Sequence, residues 1–207
     1  LKQNNSKERG YKMKDTFKPI TAITMGDPAG IGPEICIGTV LEHETYDVCR
    51  PFIIGSIAIL KRAAKVLGKD LQYHRTNVPP EANEEYRVMD VLETGTYDTD
   101  SLVLGEVQEL AGKMSVDFIM KSIELGMKNK VHAISTAPIH KRAIKLVGIT
   151  QPGHTEMYQD FTNSPYALTM FSCHNLRVFF VSRHMSLIDA CKYATKDRVL
   201  ENVINID

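Results

Sequence analysis

Four short clusters in this chain gather the residue types that bind anions, hold metals or move protons. The first is Gly26-Asp27-Pro28-Ala29-Gly30-Ile31-Gly32-Pro33-Glu34, directly after the apolar run Ile20 to Met25. The second is Thr136-Ala137-Pro138-Ile139-His140-Lys141, the third Pro152-Gly153-His154-Thr155-Glu156, and the fourth Ser182-Arg183-His184-Met185-Ser186-Leu187. A lysine ammonium and histidine ring nitrogens offer hydrogen bonds and positive charge to a carboxylate or phosphate. A neutral imidazole also ligates divalent metals. Each cluster has an ordinary explanation too: a rigid turn at 26–34, a solvated lysine at a helix start for Lys141, a satisfied polar residue for His184. Thr155 could cap a helix whose dipole Glu156 complements. Three clusters at strand ends in one chain favour a cleft lined by His140, Lys141, His154, Thr155 and His184, able to hold an anionic substrate and a divalent metal. His43, His74, His132 and His174 stand in no partner motif and read as structural.

The loop at 26–34 carries no nucleotide fingerprint. Gly30-x-Gly32 lacks the third glycine of a Rossmann turn, and no Gly-Lys-Ser/Thr of a P-loop follows. Its glycines permit close approach, its prolines stiffen it, and Pro33 suits the first turn of a helix continued by Ile35, Ile37 and Val40. The expected product is an anion-friendly helix start at the mouth of a sheet.

The elements that must position these clusters follow from hydrophobic period. Ile20 to Met25, Pro51 to Ile54, Val131 to Ser135 and Leu176 to Ser182 read as strands; Ile57 to Leu67 and Val116 to Met127 show helical spacing. Leu67-Gly68-Lys69 reads as a helix end. Residues 76–101, richer in Pro, Glu, Asp and Thr, read as an excursion on the rim. The alternation predicts a layered α/β fold. A helix is expected from near Lys196 and runs into Asp207, so the C-terminus reads as cut.

The 207 residues, 43% hydrophobic, suffice for one large α/β domain or somewhat more. Lysine plus arginine and aspartate plus glutamate both number 25, so no net field points to nucleic acid or a membrane. Cys36, Cys49, Cys173 and Cys191 form no CxxC pair and suit reduced thiols in a cytoplasmic protein. No run approaches a membrane span, and residues 1–18 read as a disordered leader or tag remnant.

The four clusters occur in the order and rough spacing of one family: the 26–34 loop, Thr136-Ala-Pro-x-x-Lys141, Gly153-His-Thr-Glu156, and Leu176-Arg-Val leading to His184. From about Ile20 onward the chain resembles the N-terminal two-thirds of the 4-hydroxythreonine-4-phosphate dehydrogenases. These are relatives of the isocitrate and isopropylmalate dehydrogenases, whose shorter Gly-Asp-Gly-x-Gly-Pro-Glu loop is similar. The resemblance implies a three-layer α/β/α fold over residues 19–207, incomplete at its C-terminal side, and a homodimer with a shared active site.

It also implies a reaction: NAD or NADP oxidises 4-(phosphooxy)-L-threonine at C3, and the β-keto acid loses carbon dioxide to give 3-amino-2-oxopropyl phosphate, a step of pyridoxal phosphate biosynthesis. One divalent metal, zinc, magnesium, cobalt or manganese, would hold the reacting oxygens. By motif position, His154 and Thr155 correspond to substrate-binding residues and His184 to a metal ligand; Asp27 and Lys141 are the candidates for substrate contact or proton transfer. Further ligands and most of the cofactor pocket belong to family sequence beyond the position of Asp207, so these residues alone are expected to be inactive. His184-Met-Ser-Leu187 replaces a His-Leu-Pro-Leu of the vitamin B6 enzymes and, with Pro152-Gly153, resembles the sister branch acting on 4-phospho-D-threonate or 4-phospho-D-erythronate. A rival of another class is a non-catalytic binding module for small phosphorylated acids. An isocitrate- or isopropylmalate-type activity is disfavoured by the inserted Pro28-Ala29 and by the Gly-His-Thr-Glu cluster.

Overall fold

A computed structural model of the chain describes residues 17–77, 79, 86–183 and 185–206. By its contacts the chain divides into two compact units, one ending at Thr150 and one starting at Gln151.

The first unit is built on β1 (Ile20–Thr24), β2 (Arg50–Gly55), β3 (Gln72–Thr76), β4 (Val88–Glu93) and β5 (Ala133–Thr136), all parallel in the order β3-β4-β2-β1-β5. Unbroken apolar runs suit the inner strands, because a parallel sheet is covered on both faces. Phe52, Ile53 and Ile54 of β2 are all fully buried. The connecting helices are α1 (Gly32–Leu41), α2 (His43–Val48), α3 (Ile57–Val66), α4 (Glu109–Met127) and α5 (Lys141–Leu146). The steps β1 to β2 and β2 to β3 run one way across the sheet, and β4 to β5 runs back. Right-handed crossovers then place α1 and α3 on one face and α4 on the other, giving three layers. The packing agrees: α1 lies against α3, while α4 packs on β1, β2 and α5. Phe118 and Met114 of α4 are completely buried, each side chain contributing about 1.5–3 kcal/mol on removal from water.

The α/β class expected from the sequence is observed, built on a parallel sheet, and Pro33 does lie in the first turn of α1. Gly68, at φ 62°, ends α3: its N–H donates to the Lys65 carbonyl and that of Lys69 to Ala64, a Schellman motif. Three expectations need correction. Residues 76–101 are not a rim excursion throughout, since they supply the inner strand β4. Its Asp90 is tolerated there because His74, its register partner on β3, bonds the carboxylate through Nδ1 at 2.6 Å. Helix α4 begins seven residues before Val116, with small buried residues Ala111, Gly112 and Ser115 in its first turns.

The second unit contains α6 (His154–Phe161), an antiparallel hairpin of β6 (Met170–Cys173) and β7 (Leu176–Phe179), α7 (Leu187–Tyr193) and α8 (Lys196–Ile206). Strand β7 is shorter than the expected run to Ser182. His174 takes φ 51° at the two-residue turn. Among the described residues no helix is long and apolar enough to cross a membrane.

Candidate functional site

In an open parallel sheet, ligands sit at the carboxyl ends of strands where neighbouring connections leave toward opposite faces. Strands β1 and β5 are such neighbours: the chain leaves β1 toward α1, and leaves β5 toward α5, which packs on α4. The loops that follow them are the first and second sequence clusters. They lie side by side, with Ala137 N–H donating to the Thr24 carbonyl at 3.0 Å and Asp27 N–H to the Pro138 carbonyl at 2.9 Å. Gly26, at φ 73°, permits this approach, since a Cβ there would strike the Pro138 carbonyl oxygen. Gly32 is pressed in the same way against the Met25 carbonyl. These two glycines therefore serve close backbone packing.

Asp27 is 6% exposed. Its Oδ1 accepts the Ala29 N–H at 2.8 Å, and its carbonyl accepts the Gly30 N–H at 3.1 Å. One carboxylate oxygen thus holds the turn. From below, Ser115 of α4 donates through Oγ to the Gly26 carbonyl at 3.2 Å. Lys141 is exposed as the first residue of α5, its ammonium available to an anion. His140 caps α5, its Nδ1 accepting the Arg142 N–H at 3.2 Å. Gly112 of α4 touches the α5 backbone at Ala143 so closely that a Cβ would collide with the carbonyl.

In the second unit, Gly153 occupies the cap position of α6, so Thr155 lies half-buried in the first turn and does not cap it. His154 opens the helix. Its Nε2 is buried without a hydrogen-bond partner, and burial holds its pKa below the usual histidine value, keeping the ring neutral near pH 7. That nitrogen keeps an unused hydrogen-bonding position. Glu156 lies in the same first turn. His184 lies outside the described residues. Beside it, Arg183 donates to Thr169 Oγ1 at 2.7 Å, and Ser186 caps α7 by accepting the Asp189 N–H at 3.2 Å. The serine of His-Met-Ser-Leu is therefore a helix cap.

Among the described residues no group of three or more His, Cys, Asp or Glu gathers into a metal-holding arrangement. The described residues do not by themselves fit a divalent metal. All four cysteines are free; burial, aided by Glu34, pushes the Cys36 thiol up to about 12, so it stays protonated at neutral pH.

Sequence reading missed a polar network after β4, at the same edge of the sheet. Tyr97 OH donates to Asp117 Oδ2 at 2.8 Å and meets Thr94 Oγ1 at 2.8 Å, while Lys113 pairs with Asp117 at 3.2 Å. Burial above all pushes the Tyr97 phenol up to about 12. No motif marks these residues; recognition of β4 as a strand would have placed Thr94 and Tyr97 at its carboxyl end.

Known proteins are similar to this chain in sequence and fold. A Fusobacterium nucleatum protein named D-threonate 4-phosphate dehydrogenase is 42% identical over 182 residues, 88% of this chain and 55% of that protein. A Halalkalibacterium halodurans protein of the same name is 40% identical over 190 residues, 92% of this chain and 57% of that one. The crystal structure of a 4-hydroxythreonine-4-phosphate dehydrogenase from Burkholderia phymatum superposes with a TM-score of 0.84 at 32% identity, covering 90% of this chain and 56% of that chain. The chain thus spans about half the length of the relatives it matches. Residues 47–207, from α2 through the hairpin to α8, match the sequence profile of the pyridoxal phosphate biosynthetic protein PdxA, and the chain belongs to that family.

Proposed function

We propose that the protein carrying this chain is an NAD(P)-dependent dehydrogenase that oxidises the C3 hydroxyl of a small phosphorylated four-carbon hydroxy acid. A bound nicotinamide would supply the hydride acceptor, the hydroxyl proton would go to a base, and the β-keto acid would then release carbon dioxide. Family membership and relatives named as dehydrogenases support the reaction class. The observation that carries the reading is His154: a buried, neutral and unpaired imidazole nitrogen at the start of α6 offers a hydrogen bond that water does not contest. Thr155 beside it is the second substrate contact. Lys141 supplies positive charge for a phosphate or carboxylate, and Asp27 and Lys141 are the residues for substrate contact or proton transfer.

The substrate in this reading is 4-phospho-D-threonate, supported by the 42% and 40% identical relatives bearing that name. A second reading, 4-(phosphooxy)-L-threonine, draws on the solved structure at 32% identity; 4-phospho-D-erythronate is the third acid to try. A divalent metal with His184 among its ligands, a homodimer sharing its sites and a cytoplasmic location belong to the same proposal. Because the described residues gather no ligand set, no step is assigned to the metal. The test is reduced-cofactor formation by the intact natural protein with each acid, NAD and NADP, with and without added metal. Turnover of 4-phospho-D-threonate above the other two supports the reading. Binding of all three acids by calorimetry with no reduced cofactor supports a binding module and sinks the enzyme.

A further inference from the structure

The loop that carries Asp27 is held from outside as well as from below. On the outer side, Gly105 N–H donates to the Ala29 carbonyl at 2.8 Å. Gly105, at φ 79°, sits at the apex of the segment 102–108, which is exposed from Val103 to Val107 and contains no helix or strand of its own. Such a segment keeps one conformation only if something closes it. The Gln108 side chain does: Nε2 donates to the carbonyls of Val103 at 2.6 Å and Glu106 at 3.3 Å, and Oε1 accepts the Val103 N–H at 3.1 Å. Arg62 of α3 ties down the near end by donating to the Leu102 carbonyl at 3.3 Å. Gln108 occupies the cap position of α4 yet makes no side-chain cap bond to it. Its hydrogen-bonding capacity is directed at the segment, not the helix.

The chain of bonds continues inward. Gly105 fixes the Ala29 carbonyl, and the Ala29 N–H donates to Asp27 Oδ1 at 2.8 Å. We propose that Gln108 is a positioning residue that sets the Asp27 carboxylate through the 102–108 segment and the backbone of Ala29. This rests on the reading of Asp27 as part of the reacting site. Glutamine is the side chain the task needs, because it donates to two carbonyls while accepting from one amide. Glutamate would turn an acceptor toward both carbonyls, and alanine would leave the segment open.

The test is amide hydrogen exchange together with steady-state kinetics on the intact natural protein and its Gln108→Ala and Gln108→Glu variants. In both variants the Gly105 and Ala29 amides are expected to exchange about fivefold faster or more, the scale of one lost hydrogen bond, while the Ile53 amide in β2 is unchanged. Turnover falls by a similar factor, with KM moved less than about twofold, the pattern of a misplaced reacting group and intact binding. Unchanged Ala29 exchange in both variants overturns the proposal. So does equal acceleration at Ile53, which marks global unfolding, and so do loosened amides with kinetics unmoved. If both amides loosen but the parent protein turns over none of the phosphorylated acids, the physical link from Gln108 to Asp27 stands and the proposed reaction is what fails.

Discussion

The N–H of Asp27 donates to the carbonyl of Pro138 at 2.9 Å, joining the loop after β1 to the loop after β5. Two clusters more than a hundred residues apart in the chain therefore share one backbone bond, and Lys141 begins its helix three residues beyond that contact. Gly26 is the residue that lets the loops meet. Gly26→Ala sets a Cβ against the Pro138 carbonyl at a φ of 73°, and is expected to cost about 1–3 kcal/mol. Denaturant midpoints measure it; an unchanged midpoint would show that the loops part without loss.

Gly112 invites a comparison within one protein. Alanine is normally better than glycine inside a helix by about 1 kcal/mol. At Gly112, however, a Cβ meets the Ala143 backbone, whereas at Gly38 in α1 it meets nothing within 4 Å. Gly38→Ala is expected to stabilise by about 0.4–1 kcal/mol, and Gly112→Ala to destabilise by about 1–3 kcal/mol. Thermal melts of the two variants should move in opposite directions.

Lys141 separates activity from stability. It is exposed at the start of α5, where its charge opposes the helix dipole, so Lys141→Met should leave stability unchanged or raise it by up to about 0.5 kcal/mol. If the ammonium holds a substrate anion, kcat/KM falls about 10–100-fold, the scale of a lost charged hydrogen bond. Normal kinetics in a normally folded variant remove Lys141 from the site.

Burial depresses the pKa of His154 in the folded protein below its unfolded value near 6.5. As pH falls through that value the unfolded chain takes up a proton that the folded chain refuses, so stability present at neutral pH is lost on acidification. His154→Gln should flatten the stability profile between pH 7 and the depressed pKa. An NMR titration placing the His154 midpoint at or above 6.5 contradicts the burial argument.

Legibility in the sequence followed local chemistry. Strands β1 and β2 are apolar runs bounded by turn residues, and α3 ends on a glycine in a Schellman motif; each announces itself within a few residues. Strand β3, Gln72-Tyr-His-Arg-Thr76, is a polar edge strand with no apolar run to find, and β4 hides its signal behind Asp90, whose compensating partner His74 becomes a neighbour only in the folded sheet. Histidines show the same divide. His132, which reads as structural, accepts the Ile20 N–H through Nδ1 at 3.0 Å, and His43 stacks on Tyr86 with centroids 3.7 Å apart. Clustering at strand ends pointed to Lys141, His154 and Thr155, and family order added Asp27. The supports beneath Asp27 and Lys141, Ser115 and Gly112, are ordinary helix residues whose task exists only through partners distant in the chain.

The placement of β1 in the sheet also fixes a clock. Ile20, at the start of β1, bonds His132, at the threshold of β5, across 112 residues of chain. A ribosome adding roughly 5–20 residues per second makes β1 several seconds before its second neighbour exists. Until β5 emerges, the first loop lacks Pro138 and can close only against Gly105 and Ser115. The contact between the two loops thus waits for β5, whereas β2, the other neighbour of β1, is made long before it.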